Sequence, residues 1–198
     1  MEVLHTVVGI YQTNCYIVVK DGHALIIDPG SRYEKILAHI PEGVMVDAVL
    51  LTHAHVDHIG AVDKMVSHFH CPVYISEEDA LMAKDPHLNI SYPDNVTVHS
   101  AMTIVREGIL KIGPFSVKVI ETPGHTAGSL CFIIEDCLFS GDTLFYRSVG
   151  RCDLPTGNEA ALKNSLRYLA TLDPSLKVYP GHERFSTLEE EIASNSWM

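Results

Sequence analysis

The residues most able to do chemistry form one short stretch, Thr52-His53-Ala54-His55-Val56-Asp57-His58. Three imidazoles and a carboxylate at this spacing are typical of a metal site, and they suit zinc, iron or manganese better than calcium or magnesium. Side chains two residues apart on an extended chain point the same way, so we expect His53 and His55 to bind one ion together. Asp57 and His58 then face a neighbouring position, where they offer an oxygen and a nitrogen to a second ion.

The residues on either side of this stretch predict a strand before it and a helix after it. Apolar Val49-Leu50-Leu51, at the end of a strand predicted over 46–51, is typical of a buried strand, so the ligands lie where a rigid element ends. Apolar residues at helical spacing then predict a helix over 59–69. The candidate ligands therefore occupy the turn between a strand and a helix.

Three later strands end in the same way. A glycine directly precedes a polar residue that can bind a metal at the end of each: His125, Asp142 and His182. Glycine permits the unusual backbone needed to aim a side chain into a crowded centre. One Gly-His pair is a weak signal, but three such strand ends downstream of a ligand cluster indicate that they converge on it.

The remaining pattern predicts strands that alternate with helices. Predicted strands cover 3–8, 15–20, 24–27, 46–51, 73–75, 103–105, 109–112, 115–120, 130–134, 137–140 and 176–179. Predicted helices cover 31–40, 59–69, a segment opening at Ser76, 158–172 and 187–193, and residues 85–100 form a long surface loop. Asp21-Gly22 predicts a hairpin turn. Residues 1–198 therefore predict a single α/β domain with sheets inside and helices outside.

Composition excludes several classes of function. The chain has 198 residues, of which 46% are hydrophobic, and a net charge of −11. The acidic balance disfavours nucleic-acid binding. No stretch approaches the roughly 18 apolar residues of a membrane helix, and Glu2 stands where a secretion signal carries a base, so we expect a cytoplasmic protein without membrane contact. The oligomeric state is left open.

The cysteines and one further histidine pair carry weaker signals. The five cysteines form no C-x-x-C pair, which disfavours a disulfide framework. Cys152 lies in a polar Gly-Arg-Cys-Asp stretch, which is compatible with a position near a site or with a structural role. His68 and His70 repeat the H-x-H spacing, but they lie at a predicted helix end with no other type of ligand nearby.

Taken together, four motifs resemble the metallo-β-lactamase fold superfamily. They are T-H-A-H-V-D-H-I-G, T-P-G-H-T-A-G-S, S-G-D-T-L-F and Y-P-G-H-E, and the similarity runs through nearly the whole chain. Within the superfamily the chain is similar to the glyoxalase II, or hydroxyacylglutathione hydrolase, group and especially to its short bacterial members. The resemblance implies a four-layer αββα sandwich with the site at one edge of two sheets.

The resemblance also implies two divalent metal ions, zinc foremost, with iron or manganese as alternatives. The ligands that it implies for the first ion are His53, His55 and His125. Those for the second ion are Asp57, His58 and His182, with Asp142 bridging the two. Asp57 would in addition orient an attacking hydroxide shared by the two ions.

The resemblance implies hydrolysis of a thioester such as S-lactoylglutathione or a related S-hydroxyacyl thiol. Tyr146, Arg147 and Arg151 follow the bridging aspartate and could bind a substrate carboxylate, or make structural hydrogen bonds instead. We expect no counterpart of the C-terminal helical extension that supplies basic residues for glutathione in longer members, so the thiol half of the substrate is left open.

Other activities remain as alternatives. A mononuclear iron persulfide dioxygenase would use a small set of the same ligands, and another ester or a lactone could replace the thioester. A non-enzymatic metal-binding or redox-partner domain is a third hypothesis. Classical β-lactamase members lack the Asp57, His58 and Asp142 combination in this form, so we expect no β-lactam hydrolysis.

Overall fold

The computed structural model of the protein describes residues 1–198 and contains two six-stranded sheets with helices around them. The strands are β1 Glu2–Val8, β2 Thr13–Lys20, β3 His23–Ile27, β4 Met45–Leu50, β5 Val73–Ile75, β6 Met102–Ile104, β7 Gly108–Ile112, β8 Phe115–Glu121, β9 Leu130–Ile134, β10 Cys137–Gly141, β11 Lys177–Pro180 and β12 Ser186–Thr187. The helices are α1 Tyr33–Leu37, α2 Val56–Ile59, α3 Val62–Phe69, α4 Glu77–Met82, α5 Glu159–Leu169 and α6 Leu188–Ser194.

Both sheets are mixed. The first has the order β1-β2-β3-β4-β5-β6, antiparallel up to β3 and parallel from β3 to β6. The second has the order β12-β11-β10-β9-β8-β7, with a single parallel pair between β10 and β11. Asp21 and Gly22 have φ values of 51° and 79°, as a tight turn between β2 and β3 requires. The predicted hairpin is confirmed.

Three apolar clusters show the layers. One cluster lies between the two sheets and joins residues such as Leu25 and Leu50 to Phe132 and Phe139. A second joins the outer face of the first sheet to α1, α3 and α4, and a third joins the outer face of the second sheet to α5 and α6. Three apolar interfaces separate four layers, so the predicted αββα sandwich is confirmed.

Two predicted helices differ from the structure. The helix predicted over 59–69 is interrupted between α2 and α3, because the Ala61 N–H donates to the carbonyl of Pro29 (2.9 Å) instead of to a carbonyl of its own helix. The helix predicted over 31–40 is reduced to α1, and Arg32, in a left-handed conformation, occupies the position expected for a Ser31 cap. In the first case a tertiary contact overrides a local helical pattern.

Other boundaries agree closely with the sequence. Asn158 caps α5 by accepting a hydrogen bond from the Ala161 N–H, and Ser76 caps α4 in the same way from Asp79. Residues 85–100 form turns and irregular chain, as predicted. Every helix in the structure is too short, or too polar, to cross a lipid bilayer.

Candidate metal centre

The candidate ligands come together at one edge of the sandwich. The ends of β4, β8, β10 and β11 deliver them, because Leu50, Glu121, Gly141 and Pro180 end these strands a few residues before a ligand. The structure brings all seven predicted metal ligands into a single cluster: His53, His55, Asp57, His58, His125, Asp142 and His182. Within it two groups of three each place their ligand atoms within 4.8 Å of one another.

We call His53, His55 and His125 the first triad. His55 Nδ1 and His125 Nε2 are 2.8 Å apart, and all three side chains are buried. Burial lowers the pKa of His53 far below its ordinary value, and burial together with nearby His125 lowers the pKa of His55 to about 3. Three imidazoles are therefore held neutral at pH 7, which is the form that binds a metal.

We call Asp57, His58 and His182 the second triad. The His182 Nε2 lies 3.2 Å from Asp57 Oδ2 and 3.4 Å from His58 Nε2. Burial lowers the pKa of His58, but the carboxylates of Asp57, Asp142 and Asp28 outweigh it and raise that pKa to about 10. The three carboxylates around His58 thus create a negative electrostatic potential that attracts a cation.

Asp142 lies between the triads. Its Oδ1 is 3.4 Å from His58 Nε2, and its Oδ2 is 3.5 Å from both His125 Nε2 and His182 Nε2. One carboxylate thus faces ligands of both groups. This position is the one that the resemblance implied for a bridging aspartate.

Two buried atoms without hydrogen-bond partners indicate that metal ions fit this arrangement. His53 Nε2 and Asp142 Oδ1 are buried and have no hydrogen-bond partner in the protein. A buried polar atom without a partner costs on the order of 1–3 kcal/mol. Coordination of a cation would satisfy both atoms, and the mixed nitrogen and carboxylate donors suit zinc or iron.

Asp28 orients part of the second triad. Its carboxylate accepts hydrogen bonds from the Thr52 N–H (2.8 Å) and hydroxyl (2.6 Å) and lies 2.9 Å from His58 Nδ1. The far nitrogen of His125 is 2.7 Å from the carbonyl of Arg151. A partner at this nitrogen fixes the orientation of a metal-binding imidazole. Sequence reasoning noted the turn at Asp28 but missed its role, although an aspartate directly after a buried strand was the available signal.

Asp79 joins the two segments of the first triad and was not predicted. Its buried carboxylate accepts hydrogen bonds from the Ala54 N–H (2.8 Å), the Gly128 N–H (3.0 Å) and the Thr126 hydroxyl (2.9 Å). Burial raises its pKa to about 6, although the hydrogen bond from Thr126 opposes the shift. The carboxylate therefore ties the residue between His53 and His55 to the residues after His125.

The glycines before the later ligands act in two ways. Gly124 and Gly141 have φ values of 145° and 50°, which other residues rarely adopt, as the sequence predicted. Gly181 is required by space instead, because a Cβ there would lie 2.1 Å from Asp142 Oδ1. The absence of a side chain at Gly181 lets the His182 segment approach the carboxylate of Asp142.

The three residues predicted to bind substrate lie in different surroundings. The ring of Tyr146 lies beneath the guanidinium group of Arg184, which is 3.5 Å from the ring centroid, and Arg147 lies 5.1 Å from the same centroid. The exposed side chain of Arg151 pairs with Asp153 through two hydrogen bonds of 2.7 and 2.8 Å. Arg151 therefore contributes its backbone carbonyl to the cluster, and its substrate role stays a prediction.

Comparison with known proteins identifies the family. The model of the Metallo-beta-lactamase superfamily matches residues 8–182. The chain belongs to this superfamily. It is 39% identical over 183 residues to "Probable metallo-hydrolase YqgX" of Bacillus subtilis, covering 88% of this chain and 87% of that protein. It is 32% identical over 203 residues to "Hydroxyacylglutathione hydrolase GloC" of Haemophilus influenzae, covering 95% and 93%.

Solved structures of the superfamily are also similar. The crystal structure of BLEG-1 B3 metallo-beta-lactamase has a TM-score of 0.94 and 35% identity, with 99% of both chains covered. That of TTHA1623 in a di-iron-bound form has a TM-score of 0.89 and 34% identity, with 98% of this chain and 100% of the other covered. The fold that positions the cluster is therefore that of the superfamily.

Proposed function

We propose that the protein hydrolyses a thioester of a hydroxyacyl group, such as S-lactoylglutathione, with two metal ions held by the two triads. The observation that carries this proposal is Asp142, whose carboxylate faces both triads in a cluster of five histidines and two aspartates. The similarity to a protein named hydroxyacylglutathione hydrolase supports the choice of ester. Two divalent ions at such a site would supply hydroxide at neutral pH and polarise the carbonyl group.

Asp57 is the residue best placed to orient the attacking hydroxide. Its Oδ2 accepts a hydrogen bond from the Thr13 hydroxyl (2.7 Å) and faces His182, so the carboxylate is fixed in position. Burial raises the pKa of Asp57, but His58 and the hydrogen bonds from His182 and Thr13 outweigh burial and hold the pKa below its usual range. An ionised carboxylate can accept a hydrogen bond from the attacking water or hydroxide and so orient it, and the thiolate product leaves without help from an acid.

The direct test is turnover of S-lactoylglutathione by metal-loaded protein, followed at the thioester absorbance. We expect a kcat/KM above roughly 10⁴ M⁻¹s⁻¹, which is ordinary for an enzyme. His68→Ala is a matched control, because His68 contacts Tyr33 outside the cluster and its loss should leave turnover unchanged. No turnover by the loaded protein would overturn the proposal and leave another ester or a lactone to be tried.

A persulfide dioxygenase is the second candidate. It would need one iron ion on part of the cluster, and the di-iron form of TTHA1623 shows that a chain of this fold can bind iron. Oxygen consumption with a persulfide substrate separates the two activities, since hydrolysis consumes no oxygen. Oxygen uptake together with one iron per chain would favour the dioxygenase.

A β-lactamase is the third candidate. The sequence predicts no β-lactam hydrolysis, but the similarity to BLEG-1 B3 metallo-beta-lactamase is an observation in its favour. The hydrolysis of a chromogenic cephalosporin, measured on the same metal-loaded sample, decides between thioester hydrolysis and β-lactam hydrolysis. Preference for the thioester by kcat/KM supports our proposal, and preference for the β-lactam contradicts it.

A further inference from the structure

A groove of about 670 Å³ opens beside the second triad. Its lining includes His182, so one end of the groove is a candidate metal ligand. The other walls come from β1, the turn between β1 and β2, and the segment that follows β11. This volume lies within the range of small-molecule sites, about 300–1,000 Å³.

The groove has aromatic walls. Tyr11 and Phe185 both line it, and they are 59% and 42% exposed. Phe185 is held in place because its ring makes an edge contact with His5 at 5.0 Å between centroids. Large apolar side chains that stay exposed around a concave surface mark a binding site for a ligand or partner.

The groove also carries one charge of each sign, on Glu183 and Arg184. The guanidinium carbon of Arg184 lies over the Tyr146 ring, 3.5 Å from its centroid, and the nearest carboxylate, that of Glu190, is 3.9 Å away. Stacking fixes a guanidinium group while its N–H edge stays free to bind a carboxylate. Arg151 differs, because Asp153 already occupies its N–H groups.

Glu183 is held by its backbone. Its carbonyl accepts a hydrogen bond from the Asn14 side chain (3.0 Å), which ties it to β2. Its carboxylate has no ion-pair partner in the protein, and it directly precedes Arg184 in the chain. The backbone of Glu183 is therefore fixed beside Arg184, and both charged side chains are exposed and available to a ligand.

We propose that this groove binds the thiol half of the substrate, with a carboxylate on Arg184 and an ammonium group on Glu183. The substrate class is then the thioester of a zwitterionic, amino-acid-type thiol. This inference rests on the proposed hydrolysis, because it places the acyl carbonyl at the triads and the thiol beyond His182. The aromatic walls would contact the carbon chain between the sulfur atom and the charges.

The kinetic test compares two thioesters that differ in their thiols. S-lactoylglutathione carries ammonium and carboxylate groups, and S-lactoyl-N-acetylcysteamine carries neither. For Arg184→Met we expect a KM about tenfold higher with the charged thioester, an unchanged kcat and a much smaller effect with the uncharged one. Glu183→Gln should act in the same direction. Arg167→Met, on the exposed face of α5, is the matched control.

Equal effects on both thioesters, or no effect of either substitution, would overturn the groove assignment. A second measurement keeps it testable if the wild-type protein cleaves neither thioester and the proposed hydrolysis fails. S-methylglutathione keeps both charges but cannot be hydrolysed, so its binding is measured by titration calorimetry. Binding weakened about tenfold in Arg184→Met supports the groove, and no binding to the wild-type protein contradicts it.

Discussion

The two triads differ in their surroundings. The first contains three neutral histidines in the protein interior, where burial keeps the pKa of each below its ordinary value. The second contains a carboxylate and two histidines whose pKa values are raised mainly by neighbouring aspartates that outweigh burial. One of its members, His182, borders the open groove.

This difference indicates that the first triad is tied to the folded core and the second to the substrate groove. The first triad is held by the buried carboxylate of Asp79, so its residues are part of the folded core. The second is held by Thr13 and Asn14 of β2, next to the groove where we place the substrate. We therefore expect changes around the first triad to affect stability and changes around the second to affect chemistry.

The largest expected effect follows from Asp57→Ala. This substitution removes the residue that we expect to orient the hydroxide, so kcat/KM for the thioester should fall by on the order of 10³ or more. Circular dichroism should show an intact fold, because the substitution removes no side chain from the three apolar clusters. Asp94→Ala, in the exposed loop over 85–100, is the control. Full turnover by Asp57→Ala would rule out the role of Asp57.

Asp79→Ala is expected to reduce stability, whereas Asp57→Ala is expected to reduce turnover. It leaves the Ala54 and Gly128 N–H groups buried without a partner, so the free energy of unfolding should fall by about 3 kcal/mol. Urea denaturation of the metal-free protein measures this loss. Asp79→Asn keeps a carbonyl acceptor and should recover part of the stability. A loss confined to turnover, with stability unchanged, would show that Asp79 does not support the core.

A smaller and more local effect is expected from Gly181→Ala. The added Cβ would meet Asp142 Oδ1 and force the His182 segment away, so the affinity for the second metal ion should fall about 10- to 100-fold. Competition with a chelator measures that affinity. Gly43→Ala is the control, since it adds backbone strain at φ 78° but meets no atom within 4 Å. Equal metal affinity in the Gly181→Ala and Gly43→Ala variants would show that Gly181 is not needed for binding of the second metal ion.

The most gradual effect concerns pH. In the metal-free protein the pKa of His58 is raised to about 10, so this histidine is protonated at neutral pH and must lose a proton to bind a metal. Metal affinity at the second triad should therefore rise about tenfold per pH unit between pH 6 and 8. Calorimetry in buffers of different ionisation enthalpy counts the released proton. Affinity that is independent of pH would show that His58 is not a ligand.

The sequence predicted the strands and the cluster well because both depend on local patterns. Apolar runs such as Val49-Leu50-Leu51 lead into candidate ligands, and the structure places all seven candidate ligands together. The break between α2 and α3 could not be predicted, because it depends on a hydrogen bond between Ala61 and Pro29, which are distant in sequence. The roles of the seven clustered residues as metal ligands stay predictions. The assignment of residues 1–198 to a single domain also stays a prediction.

The supporting residues were harder to predict than the ligands. Asp79 stands in an acidic helix start, Ser76-Glu77-Glu78-Asp79, where an exposed carboxylate is equally expected. Only the fold shows that it accepts hydrogen bonds from residues 25 and 49 positions away. The sequence offered Tyr146, Arg147 and Arg151 as candidates to bind a substrate carboxylate, and these roles stay predictions. It did not indicate Arg184, which lines the groove.

The metal content of the protein after metal loading and gel filtration is the measurement to make first. Elemental analysis gives the number of ions per chain directly. We predict two ions per chain for the wild-type protein and one for His182→Ala, because the first triad remains complete in that variant. A single ion in the wild-type protein would contradict the division of the cluster into two sites and favour the mononuclear dioxygenase.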